Sequence, residues 1–152
     1  MPKGFQTAAL NRFIQLKQVV DKEREEIRNK RHSFNKSQSF IDLMQIDKTT
    51  FVPTATPNYS KIITLSEVVI HYAIEPLIEQ IKKSKGGFGY EYGIWTFALL
   101  LVLEKPLVPD VSAELNDLLG LIIKCEKSNQ EQRSICDLII VIIAEYFGQK
   151  PM

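Results

Sequence analysis

The chain contains few of the residues that catalysis or metal binding requires. Its 152 residues include two histidines, His32 and His71, and two cysteines, Cys125 and Cys136. The cysteines form no Cys-x-x-Cys pair and lie near no histidine in the sequence. We interpret them as reduced core thiols, with a disulfide across a helical hairpin as the alternative. No serine or cysteine belongs to a recognisable nucleophile motif. The sequence therefore predicts no enzyme, no catalytic residue, no cofactor and no metal site.

Two patterns come closest to a chemical site. Glu67, His71 and Glu75 recur at i, i+4 spacing and could offer metal ligands on one helix face. Catalytic zinc usually gathers a further strong ligand from elsewhere, so a solvated polar face is favoured. The glycine-rich segment 86–89 is similar to a phosphate loop, but it follows a predicted helix and lacks the Gly-Lys-Ser/Thr ending. We interpret it as a turn.

A strong net charge is also missing, since 19 Lys and Arg oppose 18 Asp and Glu. The first 36 residues nonetheless carry nine basic and four acidic residues, a net of +5, whereas the remainder carries ten and fourteen, a net of −4. Arg24, Arg28 and Arg31 are candidates for an electrostatic face toward an acidic partner, with a solvated helix face as the alternative. Interleaved acids and the lack of aromatic residues among these arginines argue against direct RNA binding.

No apolar run is long enough to span a membrane, and the chain begins without a secretory signal pattern. Residues 94–103 contain one polar side chain, Thr96, and are followed by Glu104, Lys105 and Pro106. A spanning helix needs about 20 apolar residues. A helix that is apolar on every side must be covered by protein, so this run predicts the central helix of the domain.

Helical periodicity predicts an all-α fold, a single compact helical bundle of about five principal helices with one long polar linker. The whole chain, 1–152, is predicted to form one domain. It comprises a first helix over 6–31, a flexible linker over 33–63 and a helical core over 64–148. We expect the poorest order around residues 48–60.

Local signals mark the helix boundaries. Thr64 with Glu67, and Ser128 with Glu131, fit capping boxes that begin two helices. Pro76 predicts a kink near Tyr72.

Three highly apolar helices in so small a domain predict surplus apolar surface and recognition of a partner helix in a groove. The candidate groove residues lie on the central and last helices and are Trp95, Leu99, Leu103, Ile139, Ile143 and Tyr146. Complete burial of the same residues in the core is equally compatible with the pattern.

One stretch carries a more specific signal. WTFALLLVLEKPLVPD, residues 95–110, resembles the signature of the survival-motor-neuron-interacting protein family (the second Gemin), in which a tryptophan-led apolar helix runs into L-E-K-P-L-x-P. LIIVIIAEYFGQK, residues 138–150, resembles the last helix of that family. The resemblance extends from about Pro2 to Lys150.

The resemblance implies a non-catalytic scaffold or assembly chaperone of the cytoplasm and nucleus. Its implied partners are an N-terminal helix of the survival motor neuron protein and Sm-fold proteins, the D-type pair above all, before their ring closes on spliceosomal small nuclear RNA. A generic helical adaptor for another partner is the alternative, and a basic-helix nucleic-acid module is less favoured. No homo-oligomer is predicted.

The sequence departs from the family pattern in two places. Relatives carry an extended N-terminal arm, whereas this sequence begins almost at the helical domain, so ring-wide contact and RNA exclusion are not expected of it. Ile94 stands where we expect a basic residue that meets an acidic residue of the partner helix.

Overall fold

A computed structural model describes residues 3–30 and 33–150, apart from the side chains of Lys3 and Phe5. These residues form helices and no strand, which confirms the all-α prediction. The helices are α1 (Lys3–Asn29), α2 (Phe40–Met44), α3 (Tyr59–Ile62), α4 (Glu67–His71), α5 (Ile74–Lys83), α6 (Tyr90–Val102), α7 (Pro109–Lys124) and α8 (Gln130–Val141), which continues as a π-helical turn (Ile142–Tyr146). None of the helices in these ranges has the length and hydropathy needed to cross a membrane.

The five principal helices are α1, the α4–α5 pair, α6, α7 and α8. The predicted kink lies where it was expected, because Tyr72 and Ala73 separate α4 from α5 and Pro76 lies in the first turn of α5. Proline has no amide hydrogen to donate, and that first turn is where a missing donor costs least.

Both predicted capping boxes are displaced in the structure. Ser66, not Thr64, is the N-cap of α4, and its hydroxyl accepts a hydrogen bond from the Val69 amide at 3.2 Å. The Thr64 hydroxyl donates instead to the Lys61 carbonyl. Asn129, not Ser128, caps α8 by accepting from the Gln132 amide at 2.8 Å. Several residues near each helix start can act as caps, so sequence alone left the choice open.

Helix α6 is the central helix, in contact with α1, α3 and α8. Its approach to α8 is close at Gly93, where a Cβ atom would collide with the branched side chain of Ile135. Glycine therefore allows the two backbones to pack together at this point.

The predicted linker is held by side chains of α6. The Trp95 indole nitrogen donates to the Ala55 carbonyl at 2.8 Å, and the Tyr92 hydroxyl donates to the Phe51 carbonyl. Just before Phe51, Asp47 accepts hydrogen bonds from the Thr49 and Thr50 amides in a tight turn. The flexibility predicted for residues 33–63 stays a prediction.

Both cysteine thiols are free. The Cys125 sulfur, at the end of α7, accepts a hydrogen bond at 3.1 Å from the amide of Phe88, which lies in the turn that joins α5 to α6. Cys136 is buried on α8, and burial raises the pKa of its thiol to about 11. A thiol with so high a pKa is unreactive at neutral pH.

Candidate partner-binding site

Five of the six candidate groove residues lie in the core. Trp95 has 1% of its surface exposed, and four aliphatic residues have none, namely Leu99, Leu103, Ile139 and Ile143. In the folded chain these side chains offer a partner no surface. Their placement agrees with the alternative interpretation of the sequence, in which they are completely buried in the core.

Tyr146, the sixth residue, is partly exposed but does not lie in an apolar groove. Its ring packs edge-on against Phe13, with ring centroids 5.1 Å apart, and the Lys105 ammonium lies 3.9 Å above it. The surrounding cleft is lined by charged side chains, including Asp21 and Glu104. Burial raises the pKa of the Tyr146 phenol. An apolar partner helix would have to desolvate these charges, which is unfavourable.

An apolar cleft of about 290 Å³ lies instead beside α6, between this helix and α3. Ile94, Phe97 and Leu101 are only partly buried and recur at i, i+3 and i+7, so they share one face of α6. The remaining lining residues are Pro57, Tyr59, Ile62, Ala98 and Val102. We call this the α6 cleft.

Exposed apolar side chains also lie on α1 and on α3, and Tyr59 of α3 lines the α6 cleft. Leu16 and Val19 are 40% and 55% exposed, and Tyr59 is 46% exposed. The Tyr59 hydroxyl donates to the Glu23 carboxylate at 3.0 Å, which ties α3 to the face of α1 that also carries Leu16 and Val19. Burial, together with this hydrogen bond, raises the pKa of Tyr59 to about 12. Tyr59 thus connects the cleft to the α1 face that carries Leu16 and Val19, and we call this face the border of the cleft.

The sequence pointed to α6, the helix that lines the cleft, but not to its exposed face. Because α6 is apolar on every side, its periodicity does not indicate which side chains remain accessible. The available signal was the linker: its aromatic and proline residues, Tyr59 and Pro57, cover one part of α6 and leave the neighbouring part open.

Of the three arginines predicted to form an electrostatic face, the structure shows only Arg28 as exposed. Arg24 is completely buried and donates through Nη1 to the Ile63 and Leu65 carbonyls, each at 2.8 Å, so it does not belong to an exposed face. Burial lowers the pKa of its guanidinium. Arg28 is exposed and pairs with Glu104 at 3.2 Å. Arg31 lies outside the described residues.

The candidate metal ligands do not converge. Among residues 3–30 and 33–150, no group of three or more His, Cys, Asp or Glu side chains is placed to hold a metal ion. The interaction with the Glu104 carboxyl is the main cause that lowers the pKa of Glu67. Glu104, in the Glu-Lys-Pro-Leu motif, pairs with Arg28 of α1.

A comparison with models of known protein families places the chain. The family model described as survival motor neuron (SMN) interacting protein 1 (SIP1) matches residues 2–150. A comparison with curated proteins gives no match.

Proposed function

Because this chain belongs to the survival motor neuron (SMN) interacting protein 1 family, we propose that it is a non-catalytic scaffold that binds the survival motor neuron protein. We further propose that it recognises an N-terminal helix of that protein and holds Sm-fold proteins, including the D-type pair, during assembly of spliceosomal small nuclear ribonucleoproteins. Such a role belongs to the cytoplasm and nucleus. The family supports the first statement, and the resemblance around the Glu-Lys-Pro-Leu motif supports the finer partners.

The α6 cleft is the observation that carries this proposal. An amphipathic helix presents apolar side chains at i, i+3, i+4 and i+7, and the cleft with its border offers a matching apolar surface. Burial of each large aliphatic side chain contributes about 1.5–3 kcal/mol, so three or four suffice for a stable complex.

Ile94 gives this surface a particular chemistry. It lines the α6 cleft, where a basic side chain would instead attract an acidic residue of the partner. With isoleucine there, recognition rests on apolar contact and shape. Binding should therefore weaken little when the salt concentration is raised, since screening acts on charges.

Leu101→Glu tests the cleft. The side chain is partly exposed, so the charge can remain hydrated in the free protein and is buried only when a partner helix covers it. We expect at least tenfold weaker binding of a peptide comprising the N-terminal helix of the survival motor neuron protein, measured by calorimetry.

Ile123→Glu is the matched control, because Ile123 is 40% exposed on α7 and lies outside the cleft. It should bind the peptide within about twofold of the original chain. Equal losses in both variants, with unchanged melting temperatures, would contradict the cleft. A cleft that binds helices of unrelated proteins as tightly would indicate the generic adaptor instead.

Arg28 tests whether Sm-fold proteins use the remaining basic face. Arg28→Glu removes the pair with Glu104 as well as the exposed charge, whereas Arg28→Glu combined with Glu104→Arg restores the pair with reversed polarity. If Sm binding depends on the charge of Arg28, both variants lose affinity for a D-type Sm pair in a pull-down. Recovery in the double variant would assign Arg28 a structural role.

A further inference from the structure

A groove of about 890 Å³ lies between α5 and α7, and its lining shares no residue with the α6 cleft. Ile78, Ala113 and Leu121 supply an apolar part of the lining. Gly120 lies in the same lining, and a Cβ atom there would meet nothing within 4 Å. The groove is therefore open space along two helices, and its volume suits a peptide segment.

Carboxylates from both helices face this groove. Glu75 and Glu79 are one turn apart on α5, and Asp110, Glu114 and Asp117 follow one face of α7. The two lysines of the lining, Lys82 and Lys124, lie in the last turns of the same helices. Five acidic against two basic side chains give the lining a net charge of −3.

Within residues 3–30 and 33–150, these carboxylates form no ion pair with a basic side chain. The ion pairs among the described residues are Lys17–Asp21 and Arg28–Glu104, so neither includes a carboxylate of the groove. Glu75 and Asp110 lie in first turns, where the helix dipole stabilises an acid. Glu79, Glu114 and Asp117 lie outside the first turns, so the helix dipole does not account for acidic residues at these positions.

Two further observations point to a missing occupant. Partial burial, followed by the charges of Glu75, Asp110 and Asp117, raises the pKa of the Glu114 carboxyl. In the same lining, the Asn116 Oδ1 atom is buried and has no hydrogen-bond partner among the described residues. A cation in the groove would relieve the repulsion between these carboxylates.

We propose that the α5–α7 groove binds a Lys- or Arg-rich segment of a partner protein, with short apolar side chains packed against Ile78 and Leu121. The charge complementarity selects this occupant, since the phosphates of a nucleic acid would be repelled by the same carboxylates. This second interaction surface goes beyond the proposed function and does not depend on the α6 cleft.

The probe is a fluorescent peptide of eight alternating arginine and alanine residues, and the alternating glutamate and alanine peptide serves as its negative control. Gly120→Arg places a cation inside the groove and replaces a helical glycine by a better helix former in open space, so folding is preserved. We expect at least tenfold weaker binding of the probe in fluorescence anisotropy. Ala8→Arg, on an exposed position of α1, makes the same change in net charge and should alter binding less than twofold.

A second pair of variants separates the groove from the net charge of the protein. A triple variant removes three negative charges from the groove by combining Glu79→Gln, Glu114→Gln and Asp117→Asn. It should bind the probe at least tenfold more weakly. The matched control combines Glu25→Gln, Glu26→Gln and Glu131→Gln at exposed positions. Equal losses in the two triple variants, or unchanged binding in Gly120→Arg, would overturn the proposal.

A spectroscopic readout completes the test. Addition of the probe should lower the pKa of the Glu114 carboxyl in an NMR titration, because a nearby cation favours the carboxylate. No change at Glu114 would place the probe elsewhere and contradict the groove. If sedimentation shows a dimer that Gly120→Arg abolishes, a second copy of the chain occupies the groove instead of a partner segment.

Discussion

At the scale of single residues, two buried cations distinguish α1. Lys17 and Arg24 share the inward face of the helix with Phe13 and Val20, at positions where charged residues are rare. Lys17 pairs with Asp21 at 2.5 Å, and burial still lowers the pKa of its ammonium. Arg24 instead binds two backbone carbonyls at the end of the linker and lies 4.7 Å from the ring of Phe34. These residues dock α1 on the domain and do not serve an exposed surface.

Replacement of Arg24 should therefore cost stability. Arg24→Ala removes the donor to two buried carbonyls and leaves space behind, which we expect to lower the free energy of unfolding by about 2–4 kcal/mol. Arg28→Ala is the control, since its exposed pair contributes about 0–1 kcal/mol. Urea unfolding followed by circular dichroism measures both. Equal costs would show that Arg24 is not a structural anchor.

At the scale of helices, the packing of α6 against α8 determines where the core closes. Gly93 faces Ile135 at a distance that no larger residue allows, while Trp95 and Tyr92 hold the linker on another side of α6. The face with Ile94, Phe97 and Leu101 is only partly covered. The site is thus a consequence of how the neighbouring elements are distributed around one apolar helix.

Two glycine substitutions should change stability in opposite directions. Gly93→Ala introduces a methyl group into the α6–α8 contact and should destabilise the domain by about 1–3 kcal/mol, despite the better helix propensity of alanine. Gly120→Ala enters open space on α7, so the propensity gain of about 0.5–1 kcal/mol should appear alone. Both are measured by urea unfolding. If Gly93→Ala also stabilises the chain, the two helices are not in such close contact.

At the scale of the whole molecule, the chain presents two surfaces of different chemistry. The α6 cleft and its border are apolar, whereas the α5–α7 groove is acidic. A scaffold that gathers several proteins needs separate surfaces that do not compete, and different chemistry prevents exchange of partners between them.

Occupation of the α6 cleft should stabilise the whole domain. A ligand that binds only the folded state at 100 times its dissociation constant adds about 2.7 kcal/mol. For a domain of this size that corresponds to a rise in melting temperature of roughly 5–10 °C. We expect this rise on adding the survival-motor-neuron helix peptide, with a parallel decrease in fluorescence of a hydrophobic dye. The Leu101→Glu variant should show neither change, and an equal response in that variant would place the peptide elsewhere.

The sequence by itself determined the elements. Helical periodicity, Pro76 and the segment 94–103 predicted the helices, the break near Tyr72 and the central position of α6, because these signals act over a few neighbouring residues. The Glu-Lys-Pro-Leu motif identified the family for the same reason. The exact caps were missed, since adjacent polar residues such as Thr64 and Ser66 offer nearly equivalent signals.

Only the tertiary structure decided which surfaces remain free. Five predicted groove residues proved to be core, because a helix that is apolar on all sides does not reveal which neighbours cover it. Arg24 was assigned to an exposed face because its two carbonyl partners lie 39 and 41 residues away in sequence. The acidic groove joins residues 75–82 to residues 110–124. Each of these features depends on contacts between distant segments, and they arise only when the helices pack.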